Sequence, residues 1–437
     1  MRISLSEQLL FYLPMALTSI LIITTHSLFN AALARLPSPE LFISAFAVAK
    51  SFMHFFTSPI IMIRQTVSTL VRDTDSYKKV RRFIFLIVLS VVLLLALLRF
   101  SSLADWMLKN IMGVGGEVRH QSLIIFGVLI LFPLGPALRD FMQGIAVKLN
   151  RTYLFSIATV IRITYVLAII YFIDYLNFIP AAFLAGGMFL GAVLIEGIVL
   201  FAGVKLTTRN IPRSLDKNED IFENNIKKLN YKKILYFYHP LLITSFLKRM
   251  GAPLINMGLA RTIRPELSIS VYAVAWGLGL IFLSPIFMFH QQVINFLDDK
   301  NNNLASLKRF GFIIALIITL FLGVTGFTDL GYYILKNWIQ ATEEICLLSL
   351  DLLKIMIVLP AIMIGREFYW GVMMKKNKTK FISRGKMVNL TALFITIVLG
   401  ILINPANSAI VGIAAVIFSQ LFEFLYLYYK SRKNSVI

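Results

Sequence analysis

The sequence predicts an all-α polytopic membrane protein of about twelve transmembrane helices, arranged as two six-helix repeats with both termini cytoplasmic. Three observations predict it. Apolar runs recur along the whole chain, basic residues gather in alternate connections, and the second half of the chain repeats the first.

Of the 437 residues, 58% are hydrophobic and only 15% charged, with a mean hydropathy of +0.78. Soluble chains carry about a quarter charged residues. Runs such as "FIFLIVLSVVLLLALL" (83–98) approach the roughly 20 apolar residues that cross a bilayer as a helix. The net charge of +21 does not point to nucleic acid, because the basic residues lie mainly between apolar runs. Cys346 is the sole cysteine, so neither an internal disulfide nor a multi-Cys metal site is expected. The start, "MRISLSEQLLFYLPMAL", runs into the first span without a small-residue cleavage site and is read as retained.

The expected spans are 7–34, 42–70, 83–99, 121–147, 152–173 and 180–205, then 234–260, 268–297, 308–326, 345–374, 381–403 and 408–429. The termini and the connections 71–82, 148–151, 205–233, 298–309 and 375–386 hold 28 of the 43 Lys and Arg residues. The opposite connections hold seven, which places both ends in the cytoplasm. The expected organisation is an N-terminal bundle over 1–206, a basic cytoplasmic linker over 207–233, a C-terminal bundle over 234–430 and a short basic tail over 431–437.

"ARLPSPELFISAFAVA" (34–49) returns as "ARTIRPELSISVYAVA" (260–275). Sliding residues 10–75 by 226 gives about 27 identities, among them Pro14/Pro240, Asn30/Asn256, Arg35/Arg261, Pro59/Pro285 and Gln65/Gln291. A shift of 227 then pairs Pro133/Pro360, Arg139/Arg366, Asp140/Glu367 and Gly144/Gly371. Six is an even number, so both repeats enter from the same side and are related by an axis along the membrane normal. That is a transporter design in which substrate sits between two bundles.

At these residues the chain resembles the progressive ankylosis protein family. "FNAALA" (29–34) and "SFMHFFTSPI" (51–60) are similar to its first half. "HPLLITSFLKRMGAPLINMGLAR" (239–261), "YAVA" (272–275) and "DDKNNN" (298–303) are similar to its second. The resemblance implies an exporter of small multivalent anions such as pyrophosphate, citrate or nucleotides. It also implies the fold of the superfamily of multidrug extruders and lipid-linked oligosaccharide flippases. Carried over by position, the family's intramembrane basic residue corresponds to Arg249, followed by Pro253 and Asn256. A family lysine falls here on His54, and the acidic tail of animal members is absent.

Eight cations fall inside apolar spans: Lys50, Arg64, Arg139, Arg162, Lys248, Arg249, Lys354 and Arg366. Five acids could balance them: Asp140, Glu196, Asp351, Glu367 and Glu423. A charge at mid-bilayer costs about 2.5–3.5 kcal/mol on insertion scales and usually faces protein or water. Arg64, Arg139 and Arg366 lie near the cytoplasmic end, where snorkelling or a structural ion pair accounts for them equally well. Lys248 and Arg249 lie near the middle of span 234–260, beyond a side chain's reach of either surface.

The repeat acts as an internal control. Lys248 and Arg249 answer to Ile22 and Ile23, Lys50 to Trp276, His26 to Ala252 and Arg162 to Asn389. Charges in one copy only are read as ligand groups, and those in both as architectural or gating features. The repeat thus gives Lys50, Lys248, Arg249 and Arg162 as expected substrate-binding residues, and the resemblance implies His54 and Asn256 beside them. Arg and Lys suit phosphate or carboxylate oxygens. His26 is a candidate for proton coupling, with an interhelical hydrogen bond as the alternative. The matched pairs Arg139–Asp140 and Arg366–Glu367 are read as structural or gating ion pairs. Glu196 and Glu423, taken as acids without a matched partner, are the candidates for ion coupling. Paired prolines are expected to kink helices, and "AGGMFLGA" (185–192) reads as close helix packing.

No HExxH, P-loop or nucleophile elbow appears, and no extramembrane segment is long enough for a catalytic domain. The expectation is a transporter, not an enzyme, with no cofactor, metal or nucleic-acid partner. Its partners are the lipid bilayer, an anionic substrate and a coupling ion, H+ or Na+. A flippase for a lipid-linked saccharide phosphate, such as a peptidoglycan precursor, is the alternative. The compact loops and uncleaved start suit a bacterial cytoplasmic membrane.

Overall fold

The computed structural model describes residues 5–149, 151, 153–176, 178–208, 229–297, 303–376 and 378–433. Most of the expected linker, the 298–302 stretch and the last four residues of the basic tail lie outside the described residues.

The main helices of the first half are α1 (Leu5–Leu33), α2 (Pro39–Phe56), α3 (Ile63–Leu70), α4 (Thr74–Phe100), α5 (Gly116–Val128), α6 (Leu134–Lys148), α7 (Tyr153–Tyr171) and α8 (Ala181–Thr207). Those of the second half are α9 (Tyr231–Arg249), α10 (Gly251–Leu259), α11 (Pro265–Leu283), α12 (Phe289–Phe296), α13 (Leu304–Phe327), α14 (Glu343–Met356), α15 (Leu359–Lys375), α16 (Thr379–Ile403) and α17 (Ile410–Lys433). No strand occurs among the described residues.

Nine helical stretches among the described residues are long and apolar enough to cross a membrane, and eleven if two bent pairs each count as one span. The remaining expected span, 234–260, is not one helix. It is broken at Met250 into α9 and α10. Pro253 has no N–H to give the Arg249 carbonyl four residues earlier, so the ladder stops there. The first copy has Ser27 at the matched position, and α1 runs through without interruption.

Of the matched Ser-Pro pairs, the first kinks its span as expected, whereas Pro265–Phe296 runs on as one stretch through the second. Pro59 and Pro285 each open a short 3-10 turn, Ser58–Met62 and Ser284–Met288, and the first bends its span by 60°. The helix containing span 83–99 begins nine residues earlier than expected. Asp73 and Ser76 form a reciprocal capping box, with Asp73 accepting from the Ser76 amide at 2.6 Å.

Contacts divide the chain into two compact units. One comprises residues 1–47, 112–115 and 254–437, and the other 48–111 and 116–253. Within the larger unit α1 packs on α11 and its following 3-10 turn. Within the smaller, α9 packs on the Ser58–Met62 turn, α3 and α4. The first helix of each repeat therefore packs with the later helices of the other repeat.

The ties are the same in both places. Tyr12 donates its hydroxyl to the Pro285 carbonyl at 2.8 Å, and its match Tyr238 donates to Pro59. Their rings sit edge-on to the matched Phe310 and Phe83, at 5.5 and 5.4 Å. Gly144 and Gly371 also keep a common role. A Cβ on either would stand 2.6 or 2.5 Å from Cβ of the matched Val67 or Val293, so only glycine permits that approach. Within "AGGMFLGA", Gly186 lies against Val128 and Gly191 against Tyr165, while Gly187 faces open space.

Candidate functional site: a cationic cluster in the smaller unit

All five intramembrane acids are engaged by basic groups. Arg139 contacts Asp140 at 2.9 Å and Glu196 at 3.4 Å, and Arg162 contacts Glu196 at 2.7 Å. Lys354 contacts Asp351 at 3.4 Å. Arg366 pairs with Glu367, which also receives His290 Nδ1 at 2.8 Å, and Lys386 stands 3.8 Å from Glu423.

The acids at 196 and 423 are matched after all. They lie 227 residues apart, the spacing that pairs Arg139 with Arg366, which corrects their reading as acids present in one copy. Each sits at the centre of an equivalent ion-pair network, 3% and 0% exposed. Each draws a cation from the preceding long helix: Arg162 on α7 for Glu196, Lys386 on α16 for Glu423. In the second copy Lys386 is one turn before Asn389, the match of Arg162, and hydrogen-bonds it at 2.9 Å. Arg162 is thus the counter-ion of Glu196, and its charge has a displaced equivalent in the other repeat.

Lys50 and Arg249 have no such equivalent in the sequence. Lys50, on α2, is half-buried with its Nζ 5.9 Å from the Phe189 ring centre. Phe189 stacks on Phe132 at 4.9 Å, and His54 meets both rings edge-on, at 5.9 and 5.4 Å. Arg249, in the last turn of α9, interacts electrostatically with Lys50, Arg139 and Asp140. A cation there also offsets the negative end of the helix dipole. Lys50, Arg139, Arg162 and Arg249 therefore share one neighbourhood with Asp140 and Glu196. Arg64 adds a hydrogen bond to Gln143 at 3.3 Å and is itself exposed.

Other expected site residues fall elsewhere. Lys248, the residue before Arg249 on α9, is exposed. Asn256 is buried in the larger unit and donates Nδ2 to the Ala47 carbonyl at 3.0 Å. His26 is on α1, but its side chain lies outside the described residues. His290 was not among the expected residues. The signal was present, because a shift of 226 sets it opposite Arg64.

Compared with solved structures, the chain is similar to the lipid II flippase MurJ in an inward closed conformation, with TM-score 0.68 and 14% identity over 96% of this chain and 87% of that one. It is similar to an inward-facing multidrug resistance MATE transporter of the MOP superfamily, with TM-score 0.65 and 13% identity over 96% and 95%. The eukaryotic MATE transporter AtDTX14 gives TM-score 0.56 and 13% identity over 99% of each chain. None of the curated proteins compared matches the sequence. The helical architecture and internal duplication are those of a multi-pass membrane protein, and the fold is the one these MATE and MurJ structures share.

Residues 4–266, more than half of the chain, match the family described as progressive ankylosis protein (ANKH). The chain belongs to that family.

Proposed function

We propose that this protein is an alternating-access exporter of a small multivalent anion, of the pyrophosphate, citrate or nucleotide type, in a bacterial cytoplasmic membrane. Lys50 and Arg249 are the groups that hold the anion, with His54 and the paired Arg139 beside them. One observation carries the reading: Lys50 and Arg249 sit at positions where the other repeat has Trp276 and Ile23. The fold therefore does not require them, while a phosphate or carboxylate does.

Uptake into everted vesicles of labelled citrate, pyrophosphate and ATP tests this. K50W and R249I, which copy the other repeat, are expected each to lower transport at least tenfold with normal membrane insertion. Retained transport in the double variant would refute the assignment.

A second reading is favoured by an apolar groove of about 720 Å3 between α16 and α17, lined by residues including Ile395, Leu399, Val411 and Phe418. Such a groove suits the tail of a lipid-linked saccharide phosphate. Transbilayer movement of a fluorescent polyprenyl-phosphate lipid, blocked by a bulky G400W in the groove, would support the flippase instead.

A further inference from the structure

The larger unit contains a buried ionisable cluster that anion binding does not use. His290, at the start of α12, points Nδ1 at Glu367 Oε2 of α15, 2.8 Å away, and its Nε2 is 3.0 Å from Gln291 Nε2. Glu367 is 3% exposed at its side chain, whereas His290 is 18% exposed, so the imidazole is the more accessible of the two groups. Arg366 holds the other carboxylate oxygen and reaches Gln420 on α17. Trp370, one turn beyond Arg366, donates its indole N–H to Glu423 at 3.0 Å and stands 6.4 Å from the His290 ring.

We propose that His290 and Glu367 form the site that takes up and releases a coupling proton. The inference rests on the reading of the chain as an anion exporter, to which it adds proton coupling. The repeat again supplies the control. The residue matching His290 is Arg64, a permanent cation, and the residue matching Trp370 is Gln143, which Arg64 contacts. At this position the first copy cannot change charge near neutral pH and the second can.

The partners fix how the proton is handled. In the neutral ring Nδ1–H donates to Glu367, and Nε2 accepts from the Gln291 amide. A proton arriving at Nε2 turns that acceptor into a donor, so Gln291 must rotate to present its carbonyl oxygen. The surrounding charges are Arg366 and Glu367 on α15, Glu423 on α17, Lys386 on α16, Lys308 on α13 near the Phe368 ring, and the Tyr12 hydroxyl on α1. With neutral His290, Arg366, Lys386 and Lys308 face Glu367 and Glu423, three positive groups against two negative. Protonation raises that positive excess by one, which favours releasing the proton once the surroundings change.

The test uses purified full-length protein in nanodiscs. A protonated imidazole beside an indole quenches its fluorescence, so the wild type is expected to lose emission in a single-proton step over about pH 8 to 5, the range in which histidine changes charge. The step should vanish in W370F, H290Q and H290R, with each variant monodisperse. No step in the wild type, or a step that persists in H290Q or H290R, overturns the proposal. In proteoliposomes, citrate and pyrophosphate exchange by the wild type should depend on pH, and the profile should flatten in H290R. A step present in the wild type with no exchange of either anion would sink the anion reading while leaving the proton site standing.

Discussion

Asn30 and Asn256 make the same hydrogen bond at matched places. Asn30 Nδ2 donates to the Ala273 carbonyl at 2.8 Å and Asn256 Nδ2 to the Ala47 carbonyl at 3.0 Å, with 226 residues separating both donors and both acceptors. Each bond joins the first helix of one repeat to the second helix of the other. Interhelical bonds in membranes contribute about 0.6 kcal/mol on average and up to about 1.7. N30A and N256A are each expected to lower stability within that range, read from thermal unfolding in detergent. A double variant that loses more than the sum would show that the two bonds support each other.

Gly144 and Gly371 are positions where added volume is costly. G144A places a methyl against Val67, and G371A against Val293. Overpacking of this kind costs about 1–3 kcal/mol. Alanine keeps its Cβ, so shortening the neighbour does not relieve the contact, and G144A/V67A and G371A/V293A are expected to stay less stable than the wild type. Recovery of the wild-type melting temperature in either double variant would show that the helices move apart instead.

The Glu196 network is open to a transplant. R162N breaks a buried pair, and loss of one partner costs about 3–5 kcal/mol, here nearer the lower end because Arg139 also contacts Glu196. Adding T159K puts a lysine where the second repeat has Lys386. The pair R162N/T159K is expected to recover most of the stability. If it does not, Arg162 does more than balance Glu196.

The break after Arg249 has a sequence cause that can be removed. G251T/P253S copies Thr25 and Ser27 of the uninterrupted α1. It should restore a hydrogen-bond donor to the Arg249 carbonyl and raise the melting temperature. It should also slow anion transport, measured in vesicles, because the cation would then sit in a continuous helix. Unchanged transport would show that the break is not needed.

The internal repeat made much of this fold legible. Tyr12/Tyr238, Pro59/Pro285 and Gly144/Gly371 are recognisable as pairs in the sequence, and each pair does one job in the structure. The partners of those residues were not legible. Spacing along a chain does not say that Tyr12 bonds Pro285 in place of Pro59, because either carbonyl satisfies the same pattern. The site was read less fully for a related reason. Arg162 looked like a ligand group because its match is Asn389, and its electrostatic equivalent, Lys386, sits one turn away, where a residue-by-residue comparison does not find it. His290 opens a polar run, His290-Gln291-Gln292, and stands opposite another polar residue, Arg64, so the comparison of repeats does not single it out. Only the contact with Glu367 distinguishes it.

The membership of α9 in the smaller unit bears on how the chain can be cut. Severing it in the 209–228 region would strand Tyr231–Arg249 on the fragment that does not need it, and would leave α1 on the fragment whose other helices pack without it. Neither piece would then carry a complete hydrophobic interior of its own. Two such fragments should accumulate only when made together.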